Sequence, residues 1–501
     1  MSQITLTTLN ARYIHTAFGL RYLYANLGEL QSCATVREFT IHETPLNIAE
    51  TLLAGAPKII GVSVYIWNVK EVSELVGVLK AIAPEVVIVL GGPEVSHPPD
   101  LPAVCQLADY VITGPGELSF RQLCEQLLQQ QKPLNTMIEG VAVPLNQLQL
   151  PYRYYTEEDI RNRITYVEAS RGCPFKCEFC LSALDKTAKP FELGVFLEEM
   201  DALYQRGARN FKFIDRTFNL KVKTSVAILE FFLARMDDDL YLHFEVVPDN
   251  LPDALKAMLQ RFPKNRLQFE IGVQTFDPYI QGLISRKQDN QKTMENLRWL
   301  REHTGAHLHT DLIFGLPSDS LENFAKSFDQ LALLQPQEIQ LGILKKLRGA
   351  PLNRHNEDYQ LRYNPVTPYN ILSTRDIDFQ SMQRVNRFAR YWDMVANSGR
   401  FKMTLPYLLG EQPFERFLAV SDALYRIAGS TWKIALKRLF SLMYQVMVET
   451  LGLNDEQVKA LLLEDYQRAG LKGQPSFESE QAQLDKKSGV GVANKRQQLH
   501  Q

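Results

Sequence analysis

Short β-rich runs alternate with helical stretches twice along this 501-residue chain, and that double alternation limits the fold more than any other feature. Ile4–Leu9, Val36–Thr40, Ile59–Val64, Val86–Leu90 and Asp109–Thr113 read as strands, with helical patterns such as Asn68–Ile82 and Glu117–Gln131 between them. Alternation of this kind implies a parallel sheet with helices on both faces. Residues 1–135 are therefore expected to form a doubly wound α/β domain of the Rossmann or flavodoxin kind. Such sheets bind ligands beyond the carboxyl ends of their strands. The loops that follow the strands are Asn10–Tyr13, Tyr65–Asn68, Gly91–Glu94 and Thr113–Glu117.

Residues 136–160 are polar and punctuated by proline, and read as a linker. A second series occupies 161–355. Its strands are Thr165–Ala169, Asn210–Ile214, Leu242–Val246, Gln268–Gly272, Leu308–Ile313 and Glu338–Ile343. Six β/α units make a partial, TIM-like (β/α)6 barrel with its chemistry at the carboxyl ends of the strands. From 366 to 470 the pattern is helical, and 471–501 is polar enough to be expected disordered. Hydrophobic residues make up 45% of the chain and charged ones 22%, ordinary values for a globular protein. A net charge of −2 argues against a nucleic-acid partner. No apolar run is long enough for a membrane span. Met1–Leu6 lacks the basic and apolar regions of a signal peptide. A reducing, cytoplasmic location is expected.

Cys173, Cys177 and Cys180 follow the first strand of the second series as Cys-x3-Cys-x2-Cys. Three thiolates cannot complete a structural zinc site. The nearest downstream histidine is His243, and no cysteine follows Cys180. Three thiolates can hold three irons of a [4Fe–4S] cluster and leave the fourth open.

With Phe179 just before the last cysteine, this motif resembles the radical S-adenosylmethionine (SAM) superfamily. The resemblance implies that the three cysteines hold a [4Fe–4S] cluster and that SAM chelates the open iron. Reductive cleavage would then give a 5′-deoxyadenosyl radical, with Phe179 against the adenine and an electron donor such as flavodoxin or ferredoxin. Phe244–Pro248, Gly272–Phe276, Ser285–Gln288 and Asp311–Pro317 resemble the oxygen-independent coproporphyrinogen oxidases of that superfamily. By that resemblance Glu245, Gln274, Arg286 and Asp311 bind SAM. An arginine suits a carboxylate. The Gly-Gly-Glu that many such enzymes carry after the second strand is replaced by Ile214-Asp215-Arg216, which makes Asp215 a candidate for the SAM amino group.

Gly91-Gly92-Pro93-Glu94 and Gly114-Pro115-Gly116-Glu117 resemble the cobalamin-binding domain of B12-dependent radical SAM enzymes. Glycines there let backbone approach a flat ligand. The resemblance implies cobalamin contacts at Gly91, Gly92, Glu94, Gly114, Gly116 and Glu117, with Tyr13, Trp67 and Asn68 packing on the corrin. An Asp-x-His-x-x-Gly loop is absent: His15, His42 and His97 lack the pattern, so a protein histidine on cobalt is not expected. The helical region resembles an uncharacterised C-terminal domain of one subgroup. There Phe379, Arg384, Arg387, Tyr391 and Trp392 read as a buried aromatic seam, or else a substrate lid.

The expected activity is cobalamin-dependent radical SAM methyl transfer to an unactivated carbon of a small molecule. Cyclisation or rearrangement without methyl transfer is an alternative. A methylthiotransferase would need a second cluster, for which Cys33, Cys105 and Cys124 are the remaining cysteines; they read instead as inert and buried. A non-catalytic cobalamin or redox sensor would have no need of the four SAM-contact candidates.

Overall fold

The computed structural model describes residues 3–475 and Phe477. Of the tail expected to be disordered, 471–501, everything except 471–475 and Phe477 lies outside the described residues. The first sheet contains β1 (Ile4–Asn10), β2 (Ala34–Thr40), β3 (Ile59–Ser63), β4 (Val87–Gly91), β5 (Tyr110–Thr113) and β6 (Met137–Glu139) in the order β2-β1-β3-β4-β5-β6. Its pairings are parallel. β1 is buried along its whole length, as a strand covered on both faces must be.

Two separate apolar clusters fill the two faces. One gathers Ile48, Val62, Leu75, Leu79 and Leu90; the other gathers Leu6, Leu20, Ile112, Phe120 and Cys124. The helix Val69–Ile82 supplies Val69, Val72, Leu75, Val76 and Leu79 to the first, one stripe at helical spacing. Each such fully buried side chain contributes about 1.5–3 kcal/mol.

β6 corrects the reading of 136–160 as a linker. Met137–Glu139 is a short sheet strand, too brief and too close to proline to show a period of two. The rest of that stretch is also packed. Thr156 and Asp159 form a capping box on the helix Glu157–Asn162. Asp159 also takes Arg21 at 2.7 Å and Arg163 at 2.9 Å, and both arginines reach Glu38. Tyr152 is fully buried and donates to the Glu168 carbonyl.

The second sheet is β7 (Thr165–Val167), β8 (Asn210–Phe213), β9 (Tyr241–Val246), β10 (Leu267–Gln274), β11 (His307–Phe314) and β12 (Glu338–Ile343), parallel and in sequence order. It is the expected open six-stranded barrel wall. β10 and β11 alternate strictly: Leu267, Phe269, Ile271 and Val273 are buried, whereas Gln268, Glu270, Gly272 and Gln274 are not. Both sheets, with residues up to 379 apart from 328–333, form one compact unit.

The second unit comprises 328–333 and the residues from 380. It holds the helices Phe379–Trp392, Pro413–Ala428, Leu436–Glu449 and Asp455–Arg468. Phe328, Phe388, Trp392, Phe414 and Phe417 pack as one aromatic cluster. Tyr391 and Trp392 are buried. Arg384 pairs with Asp422, Arg387 lies over Tyr425, and Phe379 is exposed. The seam, rather than a lid, describes this region.

Among the described residues no helix is long and apolar enough to cross a membrane.

Candidate active site

The cysteine loop leaves β7 through a two-stranded hairpin, Ser170–Arg171 against Lys189–Pro190. Gly172 has φ +92°, and a Cβ there would run into the Thr187 carbonyl, so only glycine closes this turn. The Cys173 amide donates to the Asp185 carbonyl, and the Cys180 amide to that of Cys177. Burial pushes the thiols of Cys173 and Cys177 up. Cys180 and Cys177 raise Cys173 further, whereas Arg286 opposes the rise at Cys177. Metal ligation requires these protons to leave.

Glu178, inside the motif, is buried and fastens the loop. Its carboxylate accepts from Ser285 Oγ at 2.6 Å and from Arg354 Nη2 at 2.6 Å, with His355 Nε2 at 3.1 Å. Its backbone donates to Ile284 and accepts from Leu352. Burial raises this carboxyl, but Arg354 and Ser285 outweigh it and hold it below the usual range.

A cavity of about 270 Å³ opens on the three cysteines. Phe179, Glu245, Gln274, Arg286 and Asp311 share its lining. Gln274 ends β10 at φ +69°, where the β10–β11 register slips between Gly272 and Gln274. A non-glycine residue held in that region is strained, and such strain collects at functional sites. Its side-chain oxygen is buried and has no hydrogen-bond partner. Asp311 Oδ1 is buried without a hydrogen bond, and His309 Nε2 stands at 3.4 Å. Burial pushes Asp311 up and His309 opposes it. Arg286 donates to the Gly272 carbonyl and to Gln288 Oε1, and its Nη1 is 3.7 Å from Cys177 Sγ. Glu245 pairs with Arg216 at 2.8 Å, and burial raises it more than Arg216 lowers it.

Asp215 is elsewhere. Its carboxylate accepts from the Ala169 amide at 2.9 Å and from Ser170 Oγ at 2.6 Å, off the lining of this cavity. Burial pushes it up to about 7. It fixes the exit of β7 rather than facing a ligand. Arg216, Glu270 and His309 were not singled out from the sequence. Glu270 takes Lys212 at 3.2 Å and His243 at 3.1 Å; burial would raise it, but these partners hold it at about 2. The signal was present: polar residues recur at every second position in His243-Phe244-Glu245, in Gln268–Gln274 and in His307–Asp311.

A larger cavity, about 720 Å³, lies at the carboxyl ends of the first sheet. Trp67, Gly91, Gly92, Gly114, Gly116 and Glu117 line it. Gly92 has φ +107°, and a Cβ there would sit 2.6 Å from the Val64 carbonyl oxygen; Gly114 has φ +70° with open space before it. Tyr65 and Trp67 stack at 4.3 Å, nearly parallel. Glycine backbone on one side and flat aromatic surface on the other suit a broad planar ligand.

Three other candidates do not line this cavity. Tyr13 is exposed and donates to Glu158. Asn68 is fully buried, accepts from the Tyr65 amide and donates to the Leu9 carbonyl, so it locks the loop. Glu94 pairs with Arg348 at 2.8 Å. His15, passed over for want of a motif, does line the cavity, with Nδ1 2.8 Å from Tyr166 Oη. Tyr166, Glu168, Arg171 and Ile214, all from the second series, complete the wall. Arg171 binds Glu117 across it at 2.8 Å.

Cys124 and Cys33 belong to one face of the first sheet and Cys105 to the other. Burial pushes Cys105 up to about 11 and Cys124 higher still. Cys33 and Cys105 are only partly buried, which modifies the expectation of burial for them.

The sequence matches the family models "B12 binding domain" over 4–124, "Radical SAM superfamily" over 167–331 and "Protein of unknown function (DUF4080)" over 357–499. The chain is thus a radical SAM protein with an N-terminal B12-binding domain and a C-terminal DUF4080 region. The cofactors these domains define are cobalamin, a [4Fe–4S] cluster and SAM. Among curated proteins it is similar to an uncharacterized methyltransferase of Pyrococcus horikoshii, 23% identical over 62% of this chain and 73% of that one. It is also similar to the cobalamin-dependent radical SAM methyltransferase TokK of Streptomyces tokunonensis, 25% identical over 62% of this chain and 51% of that one. The chain therefore spans only about half of TokK. Among solved structures it shares its fold with the cobalamin-dependent SAM radical enzyme OxsB with aqua-cobalamin bound: TM-score 0.65, 15% identity, 96% of this chain and 82% of that one.

The residues fit these groups. The cysteine cavity combines three thiols with two buried acceptors that lack donors, as the amino and hydroxyl groups of SAM would require. No group of three His, Cys, Asp or Glu among the described residues is arranged for a single metal ion.

Proposed function

We propose that this chain is a cobalamin-dependent radical SAM methyltransferase that methylates an unactivated carbon of a small molecule. The observation that carries the reading is Arg171. It lines the B12-side cavity, pairs there with Glu117, and stands two residues before Cys173. One short segment thus serves both cavities.

Bound in these cavities, the cluster and SAM would supply a 5′-deoxyadenosyl radical, and the corrin a transferable methyl group. The chain's own part is binding and orientation. Cys173, Cys177 and Cys180 hold the cluster, and Glu178 keeps their loop in place. Arg286 takes the SAM carboxylate, Gln274 accepts from its amino group, and Asp311 and Glu245 accept from ribose hydroxyls. Phe179 packs against the adenine. Gly92 and Gly114 let the backbone meet the corrin, and Trp67 on Tyr65 covers its edge and excludes water.

Electrons come from a small reducing protein such as flavodoxin or ferredoxin, in a reducing cytoplasm. The methylthiotransferase alternative has no support from Cys33, Cys105 and Cys124, which are split between two faces of a sheet. The test is anaerobic reconstitution with iron, sulfide, cobalamin and SAM, followed by incubation with metabolite extract and a reductant. The expected result is 5′-deoxyadenosine together with a product heavier by one methyl group. Absence of 5′-deoxyadenosine overturns the reading; a product without the added methyl replaces it with radical rearrangement.

A further inference from the structure

The His309 ring stands two residues before Asp311 on β11, and both of its nitrogens face acceptors. Nδ1 is 3.1 Å from Glu338 Oε2. Nε2 is 3.1 Å from Gln340 Oε1 and 3.4 Å from Asp311 Oδ1. A ring with acceptors at both nitrogens donates from both and therefore carries two protons. Reversing the Gln340 amide would still leave a carboxylate at each nitrogen. Burial works against this charge, but Asp311 and Glu338 hold the second proton to about 10.

Two further charges act on Asp311 in opposite directions: Glu270 of β10 raises it and Lys212 of β8 lowers it. On β10, Glu270 is taken up by Lys212 of β8 and His243 of β9. On β12, Glu338 is shared between His309 and His307, the latter at 2.9 Å. His309 is the cation within ion-pair distance of Asp311, whose Oδ1 is otherwise without a partner.

We propose that His309 is a positioning residue: an imidazolium held between Glu338 and Asp311 that keeps Asp311 ionised and turned toward the cysteine cavity, so that SAM affinity depends on its charge. This rests on the reading that Asp311 holds SAM. Burial alone drives Asp311 toward its neutral form. A neutral Asp311 would offer a proton where the ribose hydroxyl offers one too.

The experiment uses full-length protein with its cluster reconstituted and S-adenosylhomocysteine, which is bound without being cleaved. Calorimetry gives its affinity across about pH 5.5–8.5, and iron content and unfolding midpoint check that each variant is intact. Wild type is expected to bind equally across the range. His309→Gln is expected to bind more weakly toward the acid end of the range, approaching about tenfold for each pKa unit by which Asp311 rises, and to regain affinity as pH rises. Affinity within twofold of wild type with a flat profile overturns the proposal, as does a loss that does not vary with pH. Asp311→Ala separates the two readings. If it loses binding while His309→Gln does not, only the role of His309 fails. If Asp311→Ala binds like wild type, the SAM contact itself fails.

Discussion

The two cavities of the first unit are lined in opposite ways. The B12-side cavity is surfaced by glycine backbone and stacked aromatic rings, with the pair Arg171–Glu117 set across it. The cysteine-side cavity is surfaced by thiols and by charged or amide side chains. A broad, flat ligand is selected by shape, which requires the absence of side chains. A small zwitterion is selected by placed donors and acceptors, which require their presence. Substitutions should therefore act by steric intrusion in the first cavity and by lost polar partners in the second.

The sharpest break comes from Cys177→Ser. Iron in the reconstituted protein should fall from about four per chain to below one, whereas cobalamin retention should stay near wild type. Loss of both cofactors would show that the cavities are not independent. Next is Gly92→Ala, which places a Cβ against the Val64 carbonyl at a left-handed φ. It should cost about 1–3 kcal/mol in a denaturant titration and reduce cobalamin retention, with S-adenosylhomocysteine binding intact.

Glu178→Gln removes a buried carboxylate from Ser285, Arg354 and His355. Arg354 is largely exposed, so the expected loss is about 1–2 kcal/mol, with faster loss of iron on dilution. Smallest is Trp67→Ala. It deletes a half-exposed ring stacked on Tyr65, worth about 0.5–1.5 kcal/mol, and should weaken cobalamin binding a few-fold without altering iron content.

The barrel's charged strands add a pH dependence. Glu270 and Glu338 are held at about 2, below their unfolded value of about 4.3. Their stabilisation is full above that value and is lost as pH falls toward 2. His309, held at about 10, is raised above its unfolded value of about 6.5. Its stabilisation is full below 6.5 and is lost as pH rises toward 10. Asp215, raised to about 7, loses its contribution as pH rises through that value. Denaturant midpoints should therefore be highest near pH 4–5 and fall on either side. The fall above neutral should shrink in His309→Gln.

Much of the architecture was readable because parallel strands buried on both faces form continuous apolar runs, and helices return at short intervals. β6 escaped because three residues cannot show a period. The cysteine cavity was readable in part: Phe179, Glu245, Gln274, Arg286 and Asp311 line it with the three cysteines, whereas Arg216 and Glu270, which line it too, carry no motif of their own. Asp215 was the exception: a strand-end carboxylate can turn toward the ligand or cap the adjacent loop, and only the position of Ser170 shows that it caps.

The B12 side was less legible. Its glycines were found because their backbone role survives in the sequence. Tyr13, Asn68 and Glu94 were misplaced because a side chain's direction within a loop has no local signature. The reverse holds for His15, Tyr166 and Arg171, which reach that cavity from residues far apart in the chain.

By itself, the sequence determined two β/α sheets, a three-cysteine loop and a glycine-edged cavity, all of which depend on local spacing. Only the tertiary structure decided that Arg171 joins the two cavities and that His309 stands between Glu338 and Asp311. Those contacts depend on strand register and on the packing of the second sheet against the first, and neither is encoded within any single segment.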